Sequence, residues 1–93
     1  MMWVINQSKE RIRIYLRNDI ESNITNLINE SNEIHASISA INRAVGGTPS
    51  GNDAKLIGSC QLALQNISIA LQNLNVCRER IEQLNTKEWV SDD

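Results

Sequence analysis

His35 is the only histidine in the chain, and its nearest acidic neighbours in sequence are Glu33 and Glu30. A lone imidazole beside carboxylates is usually a solvated side chain, because general-base catalysis also needs a positioned substrate proton within hydrogen-bond reach. Glu30 and Glu33, like Glu79 and Glu82, stand three residues apart, which puts each pair on one face of a helix. Two such carboxylates without a histidine partner do not make a di-metal bundle site, so they read as solvated faces. Cys60 and Cys77 lie seventeen positions apart, about 25 Å along one straight helix, too far to pair within the chain. A thiol at such seam positions behaves as a small hydrophobe, with an intermolecular disulfide left open. No CxxC pair occurs, so structural zinc is not expected. The stretch Gly46-Gly47-Thr48-Pro49-Ser50-Gly51 lacks the Lys-Ser/Thr that a phosphate-binding loop requires, and reads as a connector. These residues predict no enzyme, no metal and no cofactor.

The elements that carry them are helical. From Leu56 to Leu84, the residues Leu56, Cys60, Ala63, Ile67, Ala70, Leu74, Cys77, Ile81 and Leu84 alternate spacings of four and three, a helix seam of four heptads. Ile57, Leu64 and Leu71 widen that stripe on one flank. Asn52 or Ser50 can cap the start of this helix, and Asp53 suits its positive end. In the first half Ile20, Ile24, Leu27, Ser31, Ile34, Ile38, Ile41 and Val45 repeat the pattern, with Ser31 the one polar member. Three glycines and the only proline fall between Gly46 and Gly51, where no helix continues. The expected fold is therefore all-α: helix 1 about 8–45, a loop 46–51, helix 2 about 52–86 and a tail 87–93. The two helices form one antiparallel hairpin domain that associates into a helical bundle. Residues 1–6 are an expected extended lead-in. Arg11 to Leu16 satisfies both strand and helix periods, and is assigned to helix. Gly58, inside helix 2, either admits a close neighbour or is a tolerated cost of roughly 1 kcal/mol.

Composition bounds the function. The 93 residues suffice for one core, and with no Phe, one Tyr and two Trp that core is aliphatic and thin. A formal charge of −2, with only Lys9, Arg11, Arg13 and Arg17 as a short basic cluster, makes nucleic acid a poor partner. Leu62, Ile69 and Val76 fall roughly opposite the helix 2 seam, where a two-helix hairpin cannot bury them. No charged residue occurs from Leu56 through Cys77. A helix with two apolar stripes and no charge between them predicts a partner interface at Leu62, Ile69 and Val76. The amides and hydroxyls in the same stretch argue against a membrane span. The residues after Met1 show no Sec-type signal peptide. The Ile- and Asn-rich usage would suit a low-GC bacterium, so a bacterial cytoplasmic location is expected, with any export Sec-independent.

A helical hairpin of this length with a glycine-bearing turn at mid-chain resembles the WXG-type small proteins of type VII (ESX) secretion systems. Ile12-Arg13-Ile14 followed by Asp19-Ile20 looks like the family's opening motif. Val45-Gly46-Gly47 sits at the Trp-X-Gly turn, with Val in place of Trp. Trp89 and Asp93 are similar to its aromatic-X-X-X-acid secretion signal. The chain also resembles the helical partners of LXG-type toxins, which often lack the turn motif. The resemblance implies a targeting partner or chaperone that binds the N-terminal helical domain of a larger secreted effector, with Trp89 and Asp93 presented on one helix face to a secretion ATPase; the other reading of Trp89 is a residue that packs back on the hairpin end. A competing expectation is a homo-oligomeric structural bundle, such as a phage or cytoplasmic assembly factor.

Overall fold

A computed structural model describes residues 1–91. The first helix, α1, runs Gln7–Val45, and the second, α2, runs Gly51–Glu82. They pack against each other as an antiparallel hairpin, as the twin heptad patterns predict. Asn6 caps α1: its side chain accepts a hydrogen bond from the Lys9 N–H at 3.1 Å. The ambiguous Arg11–Leu16 stretch lies wholly within that helix. Gly46 ends it at φ 70°, ψ 13°, donating its N–H to the Asn42 carbonyl, a left-handed closure that glycine adopts without a Cβ penalty. Val45 is thus the last helical residue and Gly47 the next step of the turn. Ser50 is the N-cap of α2 in extended conformation, without the side-chain cap bond expected of it.

Helix 2 ends earlier than its pattern suggests. The predicted end at residue 86 is corrected to Glu82. Gln83 and Leu84 donate to the Arg80 and Ile81 carbonyls, the tight i→i−3 closure of a last turn. The Asn85 side chain then accepts from the Lys87 N–H at 3.0 Å and turns the chain out of the helical direction.

Beyond that turn the chain forms a strand, β2, at Lys87–Val90, paired antiparallel with β1 at Met2–Ile5. Met2 faces Val90, Trp3 faces Trp89, Val4 faces Glu88 and Ile5 faces Lys87. The Asn6 N–H donates to the Thr86 carbonyl at 2.6 Å, extending the ladder by one pair. The extended lead-in that the sequence predicts is present as β1, and the tail expected from residue 87 is corrected to a paired strand over Lys87–Val90. A hairpin returns the chain to its own start, which lets the apolar run Met2–Ile5 meet the Trp89-bearing segment Lys87–Val90.

The result is a rod 78 Å long and 15 Å by 13 Å across. Its core is one seam thick. In α1 the half-buried or buried positions beyond Ile20 are Ile24, Leu27, Ser31, Ile34, Ile38, Ile41 and Val45, which is the predicted seam residue for residue. Among the described residues only Ile20 and Ile57 are buried outright.

Candidate partner-binding face

The seam of α2 is rotated from the predicted line. Cys60, Ile67, Leu74 and Ile81 face the partner helix as expected, but they are joined by Ile57, Leu64, Leu71 and Arg78. Leu56, Cys77 and Leu84, which the heptad spacing assigns to the seam, are exposed, while Ala63 and Ala70 stay half-buried at its edge. Turning the larger flank residues inward buries more aliphatic area than Ala63, Ala70 and Cys77 would. Arg78 can join that line because its stem packs while its head stays wet.

Around this seam the surface divides by chemistry. On one flank, Arg13 Nη1 lies 2.9 Å from Glu82 Oε2 and Arg17 Nη1 lies 3.7 Å from Glu82 Oε1. Further along that flank, Arg78 Nη1 lies 3.1 Å from Glu21 Oε1. Arg13 also bonds Glu10, and this contact holds the Glu10 carboxyl below its ordinary value of 4.5 while raising the guanidinium above its own. Half of the predicted basic cluster is therefore engaged with carboxylates across the hairpin or one turn away.

The opposite flank is apolar. A groove of about 340 Å³ is lined by Leu16, Ile20, Cys77, Ile81 and Leu84, with Arg80 the only charged residue lining it. By the helical wheel, Leu56, Ala63, Ala70 and Cys77 continue this flank along α2. The displaced part of the predicted seam is thus a second apolar surface. Across the polar row Ser59, Asn66 and Asn73 lies the predicted interface, where Leu62 is 58%, Ile69 56% and Val76 44% exposed. Gly58 lies on that same outer line with nothing within 4 Å of where a Cβ would stand, so close approach within the hairpin is not its role.

Trp89 stands on β2 and not on a helix, which corrects the expected helical placement beside Asp93. Its ring meets Trp3 edge-on, centroids 5.2 Å apart at 68°, and remains half exposed. Asp93 lies outside the described residues. Trp3 is the site residue that periodicity missed. Its signal is a tryptophan near each end, each followed by a valine, which becomes a pair only once the hairpin closes.

Of the remaining chemistry, His35 is exposed, and no group of three His, Cys, Asp or Glu side chains gathers to hold a metal among the described residues. No described helix is long and apolar enough to cross a membrane. No family model, curated protein or solved structure matches this chain.

Proposed function

We propose that this chain is a non-enzymatic helical partner that completes a bundle with helices of a larger protein, acting as targeting partner or chaperone of a secreted effector in a type VII setting. The charge-free outer stripe Leu62, Ile69 and Val76, exposed on the side of α2 away from α1, carries the proposal. A partner helix can cover it without desolvating any charge, which is the usual cost of an interface. The flank groove at Leu16, Cys77 and Leu84 offers a second apolar surface on another side of α2.

Area supports the same conclusion. A compact folded monomer of this mass has about 5,400 Å² of accessible surface from the general size scaling. This chain has 7000 Å². The excess is roughly 1,600 Å², against about 800 Å² per partner for a standard interface. The effector setting and the presentation of Trp89 and Asp93 to a secretion ATPase come from the resemblance of the sequence.

The experiment is co-expression with the product of the neighbouring large reading frame, then light scattering. A stable hetero-complex is expected, and Ile69→Asp should weaken it at least tenfold by placing an unpaired charge in the interface. Deleting residues 87–93 should reduce export of the effector. Failure of any larger protein to co-purify, together with export unchanged by the deletion, would overturn the proposal. A homo-oligomer that Ile69→Asp converts to monomer would instead establish the structural-bundle function.

A further inference from the structure

We infer that the outer edge of β1 is a self-complementary docking edge, and that it takes a second copy of this chain to form a four-stranded antiparallel sheet, β2-β1-β1-β2, across a two-fold axis at Val4.

Antiparallel ladders alternate between residues that exchange both backbone hydrogen bonds with the partner strand and residues that exchange none. Asn6 donates to Thr86, so Asn6 and Thr86 form a bonded pair. By alternation Val4 with Glu88, and Met2 with Val90, are bonded pairs too, while Trp3 with Trp89 and Ile5 with Lys87 are not. The N–H and C=O groups of Trp3 and Ile5 therefore point away from β2, along the outer edge of β1. That edge is Met2-Trp3-Val4-Ile5, with no charge, no proline and no bulge, the devices by which isolated edges are normally protected. Trp3 is 62% and Ile5 54% exposed. A two-stranded ribbon is marginal in water, and further strands stabilise it.

Charge chooses the edge, and the self-complementary outward groups of Trp3 and Ile5 choose a second copy as the occupant. If two copies paired through β2 with every outward group bonded, Lys87 of one copy would pair with Trp89 of the other. Glu88 would then sit directly opposite Glu88 of the other copy, a like-charge contact that destabilises the pair. Pairing through β1 sets Trp3 against Ile5 of the second copy twice over, and Val4 against Val4 at the axis. All four outward donors and acceptors of each copy are satisfied, and no charge meets another. Because the strands run antiparallel, the two helical hairpins extend in opposite directions and do not collide. The outer stripe at Leu62, Ile69 and Val76 stays open, so this inference stands apart from the proposed partner complex.

The test uses the full chain with Cys60→Ser and Cys77→Ser. At the axis the two Val4 Cα atoms form a non-bonded pair about 4.5 Å apart, within the range a disulfide spans. Val4→Cys should therefore form a covalent dimer on mild oxidation. Glu88→Cys should not, because the two β2 strands lie three strand spacings, roughly 14 Å, apart. Without the crosslink, light scattering should find twice the 10.5 kDa chain mass at high concentration. Ile5→Pro, which deletes one outward N–H, should return it to monomer with helical circular dichroism intact. Ile69→Asp should leave the dimer unchanged. A chain that stays monomeric at high concentration overturns the inference. So does a Glu88→Cys variant that bridges as readily as Val4→Cys, or a dimer that Ile69→Asp abolishes and Ile5→Pro does not.

Discussion

Gly46 and Gly58 look alike in the sequence and do opposite things in the fold. At φ 70°, Gly46 holds the left-handed residue that stops α1, and a side chain there costs about 1–2 kcal/mol. Gly58 lies in an ordinary helical turn with open space where a Cβ would go. Gly46→Ala should therefore lower the melting temperature, whereas Gly58→Ala should stabilise the isolated chain by about 1 kcal/mol, some 4–8 °C for a domain of this size. Thermal melts by circular dichroism would check both. If a partner helix approaches α2 closely along its outer stripe, Gly58→Ala should also weaken the complex, which neither mutation's effect on the free chain can report.

At the scale of elements, polar and apolar groups divide the work of holding the helices. The alternating aliphatic residues bring α1 and α2 together along their length. At the ribbon end, where Glu82 receives Arg13 and Arg17, ion pairs add a link between the start of α1 and the end of α2. Glu10 belongs to the same cluster, and its hydrogen bond from Arg13 lowers its carboxyl below 4.5. A depressed carboxyl contributes stability above its unfolded value, and the contribution is lost as pH falls through the folded one. The melting temperature of the chain should therefore decline on acidification below about pH 4.5, and Glu10→Gln should decline less over that window. Melts from pH 6 to pH 3 would show the two curves converging at the acid end. Above pH 5 the wild type should be the more stable.

For the whole molecule, shape is the controlling quantity. Two long helices in contact bury one stripe each and leave every other face in water, so a 78 Å rod has only two of its described residues buried outright. Such a chain gains more from association than a compact one of equal mass. A partner present at a hundred times its dissociation constant adds about 2.7 kcal/mol to the folded state. Saturating the hairpin with the helical domain of the proposed partner should then raise the melting temperature by about 10–20 °C. A melt unaffected by that domain would mean that it does not bind the folded hairpin.

Much of this architecture is open to inspection in the sequence. The helical period, the Gly/Pro break and the absence of charge from Leu56 to Cys77 are local properties, and they determine two helices, their antiparallel order and the exposure of Leu62, Ile69 and Val76. In α1 from Ile20 onward the seam can be read directly, because Ile28 is the one large aliphatic residue off it. In α2 two adjacent lines are aliphatic, and which of them turns inward depends on how much area each buries against α1. That comparison belongs to the packed pair, so Leu56, Cys77 and Leu84 come out on the surface. The β-ribbon is a matter of tertiary structure for a stronger reason. Met2–Ile5 and Lys87–Val90 are more than eighty residues apart, and neither run has a partner until both helices have formed and brought the chain back to its beginning.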